Sequence, residues 1–522
     1  MSVSTAMSRV TGFVRTWAIA YALGVTALAA SYGVANNIPN MIYELVAGGV
    51  ISSLFIPVLI ERRERGGEED AWRFASYLIN LTAIGLGIVA VLGTVFAEPF
   101  VRTQTFRISV EDAALATYFF RFFAVQIVFY GVGAVISGAL NAERKFAWPA
   151  MGPIFNNIVV IVTLLGFYVP YHSSNPELAK MGLAIGTTVG VLAQFAVQVP
   201  ALIKLGFKYT PRIDFKHPGL RRMGKLFIPT TLYVVTNLVG VSFRNAYAFE
   251  ASPEGPATLL YAWMFYQLPY GVFAVALATA IFTELSDHAE SADWDAFKST
   301  FSRGLRATGI LIIPMAAMLI ALAQPLITLY QAGRFTAEDV PVVAEILTWW
   351  AVALFFFAAY MFVLKTFYSL QDTRTPMIAN VALTVLQVSL YAGLTSGVAG
   401  WAGVGLKGIP IADAIFFALS LVTLLTILYR RLGGFDIGII TWSLGRVAGA
   451  SLIGGLAAWW ITSVTAEILD WTGGFLVQLA LAGVSGLAIT YGLAALMRVQ
   501  EISVAADMAK RVLGRLMPGR KI

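Results

Sequence analysis

Seven ionisable residues stand inside long apolar runs: Arg15, Glu44, Arg121, Arg244, Asp413 and, nearer the ends of their runs, Glu284 and Lys365. An ionisable group at membrane depth costs about 2.5–3.5 kcal/mol on insertion scales, so each must face a cavity or a partner. The chemistry open to them is binding. A guanidinium grips a pair of phosphate oxygens through parallel N–H donors. Arg15 reads as such a phosphate ligand, against snorkelling to headgroups. Arg121 reads as cavity-lining or as structural. Glu44 reads as an ion-pair partner of Arg15 or Arg9, or as a transport residue. Arg244 reads as a tethered cation or headgroup ligand, against an ion pair with Asp413 or Glu250. Glu44 and Asp413 are thus the ion-pair or gating candidates.

Other chemistries lack their parts. Cysteine is absent, which excludes disulfides and thiolate metal sites. His172, His217 and His288 are expected in separate loops, and no two of them stand at helical metal-ligand spacing. No Ser/His/Asp constellation suggests a hydrolase. No catalytic residue, metal or cofactor is expected.

The elements that must position these charges are membrane helices. The 522 residues are 58% hydrophobic and only 12% charged, and the mean hydropathy is +0.75. Apolar runs of about 20 residues recur from end to end, each long enough to cross a bilayer. In lipid every backbone polar group must be satisfied internally, so these runs are helices. Fourteen spans are expected, near 7–25, 28–60, 74–100, 111–140, 149–170, 178–203, 224–249, 257–286, 304–330, 341–370, 376–398, 408–430, 442–465 and 474–497. The N-terminal run carries Arg9 and Arg15 and leads straight into a second span, unlike a signal peptide. Pro39 predicts a kink or break near Asn36–Asn40.

The net charge of +7 sits in loops beside spans, which is a topological signal and not one of nucleic-acid binding. With an even span count, one side collects Arg9, Arg62, Arg63, Arg65, Arg73, Arg144, Lys145 and the basic 204–225 loop. It also collects Lys298, Arg303, Arg306, Arg374, Arg430, Arg431, Arg446 and the basic tail. The other side holds Arg102, Arg107, Lys180, Arg334 and Lys407. The first side, with both termini, is therefore expected in the cytoplasm. The tail alternates Ile502, Val504, Met508, Val512 and Leu516 with basic residues, as in an amphipathic helix on a membrane surface.

Two polar turns stand in matching places: Leu140–Pro149 between spans 4 and 5, and Phe367–Pro376 between spans 10 and 11. Each runs into a proline-started apolar helix. Their offset of six spans predicts two six-helix lobes related as parallel repeats, a transporter design. The expected fold is thus an all-α polytopic membrane protein, two six-helix lobes plus two C-terminal helices. Residues 1–203 form the first lobe, 204–223 a basic amphipathic connector and 224–430 the second lobe. Helices 13 and 14 occupy 431–497, and 498–522 is the basic tail. Gln194, Gln198 and the Asn156–Asn157 pair read as interhelical hydrogen-bond formers. Trp349-Trp350 with Phe355-Phe356-Phe357 reads as lipid-facing bulk.

The sequence resembles the MurJ/MviN lipid II flippases of the multidrug/oligosaccharidyl-lipid/polysaccharide exporter superfamily. The resemblance runs over nearly the whole chain. It is carried by Ser8–Arg15, Ile38-Pro39-Asn40, Leu140-Asn141-Ala142 with Phe146–Ala150, Pro153–Asn157, Tyr330–Asp339 and Phe367–Pro376. It implies fourteen helices, two lobes, a central cationic cavity and a groove beside helices 13 and 14 for a polyprenyl tail. The cargo would be lipid II, moved outward for peptidoglycan synthesis. Arg9 and Arg15 match the family arginines of helix 1. Met41–Glu44 stands where the family usually has an arginine pair, Met264 where helix 8 carries an arginine, and Ala30 near an expected acid. Arg244 stands where some members carry an acid thought to hold sodium, so sodium is not expected to be required.

The substrate-binding set is therefore Arg9, Arg15, Arg244 and Arg121. The expected partners are a lipid II-like lipid-linked saccharide, membrane lipids and proteins of cell-wall synthesis, with no nucleic acid. Two alternatives stand beside this reading: export of another lipid-linked saccharide or an amphipathic drug, and a transport-inactive cell-wall scaffold. The topology has a direct check in a cysteine-free chain. Single cysteines replacing Arg63 and Lys180 should react with an impermeant maleimide from opposite sides of the membrane. Labelling from one side would break the topology.

Overall fold

The computed structural model describes residues 2–47, 55–212, 218–398, 400–469, 473–499 and 501–503, with the side chains of 2–6, 45–47 and 218–233 left aside. Among them there is no β-strand, only an isolated bridge between Val398 and Trp401. The main helices are α1 (Ser2–Leu23), α2 (Ala27–Ala47), α3 (Ile56–Val95) and α4, a bent pair (Ala114–Phe123 with Gln126–Ala142). They continue with α5 (Ala147–Tyr171), α6 (Pro176–Lys204), α7 (Pro218–Ala251), α8 (Gly255–Glu290) and α9 (Trp294–Ala321). The last are α10 (Asp339–Ser369), α11 (Arg374–Ser396), α12 (Gly405–Arg431), α13 (Ile437–Thr465) and α14 (Gly474–Leu496).

Ten of these helices are long and apolar enough to cross a membrane, and the bent α4 pair makes eleven. The remaining three, α1, α2 and α7, coincide with expected spans. The set is consistent with fourteen spans. One local expectation changes. The helix runs on through Pro39, so no break occurs at 36–40. The stretch named α3 is two helices joined across a kink at Gly67, whose φ of 80° and ψ of 179° are open to glycine, between the expected spans 28–60 and 74–100. Pro269 leaves its mark differently: a π-turn, Tyr270–Ala274, follows it. The tail reading lies outside the described residues from 504 onward, as do residues 213–217 of the connector.

The chain forms two compact units, Met1–Ala257 with Ala332–Thr336, and Thr258–Gln331 with Ala337–Ile522. In the first, α5 packs against α1 and α6, and α3 against the second half of α4. The seventh helix packs on the short helix Ala97–Thr105 and on α2. An apolar cluster around Phe55, Phe74 and Leu140 fills one part of this unit. In the second unit α10 packs on α9 and α12, and α13 bridges α9 and α14. Its largest cluster gathers Phe297, Phe301, Phe362 and Leu424.

The turns explain the polar knots in the sequence. A helix leaves its last carbonyls without intrahelical partners, and a turn can supply them. At the end of α4, Arg144 takes φ 56° and Lys145 N–H donates to Leu140 O at 2.8 Å. At the end of α10, Gln371 takes φ 57° and Asp372 N–H donates to Phe367 O at 3.0 Å. These are the same six-to-one cap, closed through a left-handed residue. It recurs after α8 at Ala292, after α12 at Gly433, after α14 at Arg498 and after α6 at Gly206. In the second unit the next residues then start the following helix: Asp293 caps α9 through Ala296 N–H, and Asp436 caps α13 through Ile439 N–H.

The segment Ala332–Thr336 is seated in the first unit by two glycines. Gly24 (φ 66°) lies against the Arg334 carbonyl, and Gly333 (φ 61°) against the Tyr21 carbonyl. Arg334 N–H donates to Tyr21 O at 2.9 Å. A methyl group at Gly24 would overlap the carbonyl and force a left-handed alanine. Gly24→Ala should therefore cost about 2 kcal/mol or more. Ala292→Gly, which relieves a left-handed alanine, should stabilise by about 1 kcal/mol. Thermal unfolding in detergent should move in opposite directions for the two variants; a shift of the same sign in both would refute the cap assignment.

Candidate functional site

In the first unit the site grows from the α1–α5 contact. Arg15, half-buried on α1, directs Nη1 to Asn157 Oδ1 at 3.5 Å. The Asn157 amide donates in turn to Thr11 Oγ1 at 3.0 Å, and Thr11 Oγ1 donates to Ser8 O at 3.1 Å. The asparagine side chain is thereby held by one turn of α1 and offers its carbonyl to the guanidinium. Gly12 leaves the room: a Cβ there would touch the Asn157 amide. The Arg15 positive charge is thus positioned by a neutral amide and is not cancelled by a carboxylate. This is the electrostatic state a phosphate ligand requires.

Arg9 is exposed one and a half turns earlier on α1, and Arg121 is exposed on α4. Neither joins the Arg15–Asn157 contact. Glu44 is exposed and accepts from Asn40 Nδ2 at 3.0 Å within its own helix; it forms no ion pair with Arg9 or Arg15. The reason is local: an i,i+4 amide reaches the carboxylate without any rearrangement. Arg244 is half-buried on α7 between Ser242 and Asn245, both hydrogen-bonded to Gln104 at 2.6 and 2.8 Å. Glu250 pairs with Arg107 through two bonds of 2.7 Å. Asn156 donates to Gln194 and Ser137 to Gln198, the interhelical role expected of these amides.

In the second unit Asp413 is 3% exposed on α12. Trp350 Nε1 of α10 donates to its Oδ2 at 2.9 Å, and Gln387 Nε2 of α11 to its Oδ1 at 2.8 Å. The Tyr391 hydroxyl donates to Oδ1 as well. Three neutral donors from two neighbouring helices therefore hold the carboxylate. Trp350 is buried, against the expectation of lipid-facing bulk, because its N–H has this acceptor; Trp349 beside it stays exposed. Gln387 and Tyr391 were not singled out from the sequence, although their i,i+4 spacing on an apolar helix was a readable signal. Lys365 donates to Thr279 Oγ1 at 3.0 Å.

The α10–α11 turn carries the densest polar geometry. Asp372 accepts from Thr375 N–H at 3.0 Å, from the Thr375 hydroxyl at 2.7 Å and from Arg431 at 2.6 Å. Burial works against its ionisation, but these donors outweigh it and hold the carboxyl below the usual carboxylate range. In the first unit the α4–α5 turn has a counterpart, since Arg63 bridges Glu143 and Glu68. Among the described residues no group of three metal-ligating side chains exists.

The geometry defines a polytopic α-helical membrane protein with an arginine held by an amide and arginine-tied turns. The sequence model of the family described as Lipid II flippase MurJ matches residues 19–481, and the chain belongs to that family. It is 29% identical to the "Probable lipid II flippase MurJ" of Vibrio cholerae, covering 97% of each chain. It is also 29% identical to the "Lipid II flippase MurJ" of Burkholderia cenocepacia, over 90% of this chain and 89% of that one. Its fold is that of a solved lipid II flippase MurJ in an inward closed conformation, with a TM-score of 0.76 at 23% identity, covering 95% of this chain and 98% of that one. A multidrug resistance MATE transporter of the MOP superfamily, inward-facing, follows at a TM-score of 0.66 and 15% identity, covering 83% of this chain and 95% of that one.

The Asp372 geometry has a signed consequence. Its folded-state carboxyl lies below the unfolded value of about 3.9. The stabilisation is present above that value and lost as pH falls through the folded one. Asp372→Asn should cost about 1–2 kcal/mol at neutral pH, the range for a lost cap and charge-assisted bond. Unfolding curves of wild type and variant should converge toward acid pH. A gap that stayed constant with pH would show that the charge of Asp372 contributes nothing.

Proposed function

We propose that this chain translocates lipid II, a polyprenyl-pyrophosphate-linked saccharide, across the bacterial cytoplasmic membrane for peptidoglycan synthesis. The family match over residues 19–481 supports the activity and the multi-pass location. The protein is a flippase and performs no covalent chemistry on its cargo. The observation that carries the reading to particular residues is the Arg15 guanidinium. It stands in a membrane helix with a neutral amide as its hydrogen-bond partner. Such a charge is costly in lipid unless an anion reaches it.

In this reading Arg15 binds the pyrophosphate, with Arg9, Arg121 and Arg244 as further cations of the path. The capped turns Leu140–Pro149 and Phe367–Pro376 face the cytoplasm, as do both termini, and the cargo moves from the inner to the outer leaflet by alternating access. The polyprenyl tail stays in lipid beside α13 and α14. Arg244 repels a small cation, so transport proceeds without a sodium gradient. Proteins of cell-wall synthesis are the expected neighbours. Export of another lipid-linked saccharide or of an amphipathic drug, and an inactive scaffold, are the readings to be separated from this one.

One charge-assisted contact contributes about 1.5–3 kcal/mol. Arg15→Ala should therefore slow outward appearance of lipid II in reconstituted vesicles by about tenfold or more. Arg15→Lys should recover only part, because lysine makes no bidentate contact. A drug exporter would tolerate the alanine, and a scaffold would show no outward lipid II even as wild type. Full activity of folded Arg15→Ala protein would remove Arg15 from the path, and loss of wild-type activity on collapse of a sodium gradient would overturn the sodium-free step.

A further inference from the structure

In the first unit, residues 207–212 follow the left-handed Gly206 that ends α6, and they adopt neither helix nor strand. Three buried side chains of α3, each four residues from the next and so on one face, hold this segment against the helix. Trp72 meets the Phe207 ring edge-on, with centroids 5.7 Å apart. Ser76 Oγ accepts from Thr210 N–H at 3.2 Å. Asn80 Nδ2 donates to Thr210 O at 2.9 Å and to Arg212 O at 2.8 Å, and its Oδ1 accepts from the Tyr209 hydroxyl at 2.5 Å. The contacts are made to backbone groups and to two aromatic side chains. They fix the path of the segment and leave its charged side chains outside.

Four cations belong to this strip: Arg73 of α3, Lys204 at the end of α6, Lys208 and Arg212. All four are exposed, and among the described residues none has a carboxylate partner. Their neighbours on α3 are treated differently. Arg62 pairs with Asp70, Arg63 with Glu68 and Glu143, and Arg65 with Glu61. On α3, therefore, the cations before the Gly67 kink are cancelled and Arg73 beyond it is open. The holding points Trp72 to Asn80 cover about 12 Å of helix at 1.5 Å per residue. They lie at the start of the expected span 74–100. Exposed apolar groups stand among the cations: Ile203 is 60% exposed and Tyr209 57%.

Open cations mixed with exposed apolar and aromatic groups, at the mouth of a span, match the chemistry of a headgroup layer. An acidic partner from solution would meet the cations and leave Ile203 and Tyr209 in water; a lipid leaflet meets both. A site for one pyrophosphate would converge its donors on a point, as a guanidinium fork does. Here the cations are spread along a held strand, which suits several single phosphates side by side. We propose that Arg73, Lys204, Lys208 and Arg212 form a docking site for the phosphate headgroups of anionic phospholipids. The ordering of the segment is already met within the fold by Ser76 and Asn80, so a lipid binds a preformed strip. The inference concerns the bulk lipid of the membrane and does not depend on the cargo.

The test titrates the full chain in detergent micelles with phosphatidylglycerol and, separately, with phosphatidylcholine. Native mass spectrometry counts the lipids retained. Wild type should hold phosphatidylglycerol more tightly than phosphatidylcholine. Lys208→Gln/Arg212→Gln removes two exposed charges and keeps every contact to α3, which those residues make through their backbones. It should weaken phosphatidylglycerol binding about tenfold or more and leave phosphatidylcholine unchanged. Lys208→Arg/Arg212→Lys keeps both charges and should bind as wild type does. No preference for phosphatidylglycerol in the wild type, or an unchanged affinity in the glutamine variant, would overturn the proposal. Equal loss in the charge-keeping variant would also overturn it, because the shape of the strip and not its charge would then matter. Displacement of the phosphatidylglycerol by a decaglutamate peptide would make the strip a surface for an acidic protein instead. Tighter binding of a polyprenyl pyrophosphate, lost in the glutamine variant, would make it a cargo site instead.

Discussion

A backbone carbonyl in hydrocarbon has no water to bond. That constraint governs this chain more than any side-chain contact. It makes every crossing a helix, and the carbonyls at each helix end are then satisfied by water or by the turn itself. The solution at the ends of α4, α6, α8, α10, α12 and α14 is a left-handed residue that folds the chain back onto its last free carbonyls. In the second unit an aspartate then opens the next helix at Asp293, Asp372 and Asp436. The turns are short because both jobs are done by adjacent residues. Their polarity is therefore structural before it is functional. The Asp372 turn adds Arg431, which ties the end of α12 to the start of α11.

The same scarcity of water sorts the charges. Glu143, Glu250, Asp372 and Glu345 each meet a cation. Others are held by neutral groups, two of them in the candidate site. Asp413 is held by an indole, an amide and a phenol, and Arg15 by an amide. Neutral partners fix the position of a charge without cancelling its field. In a low-dielectric bundle that field reaches far, so these are the places where an ion or a charged headgroup is felt most strongly. The two groups lie in different units and are opposite in sign. A transporter of an anionic lipid has use for the positive one as a ligand; the negative one braces α10, α11 and α12 together.

Much of this was legible in the sequence. Apolar run length and the recurrence of a polar turn carried the helices and their approximate limits, since both depend on local chain chemistry. The reading failed at Pro39, which sits inside a helix that runs on through it, whereas the kink at Gly67 falls where a connector was expected. The arginine of the candidate site was legible as a charge in an apolar run. Its partner was not, because Asn157 lies 142 residues away and looks like any other interhelical amide.

By itself, then, the sequence determined that the chain is a bundle of membrane helices, where its turns lie and which few charges must have a purpose. Those follow from transfer free energies that each residue carries with it. Only the tertiary structure decided which charges are cancelled and which are merely held. Glu44 is met by Asn40, Trp350 is turned inward onto Asp413, and the hydroxyls of three helices in the second unit spend their protons on their own backbones. Hydrogen-bond direction and charge pairing are properties of groups brought together from distant parts of the chain. No single segment contains them.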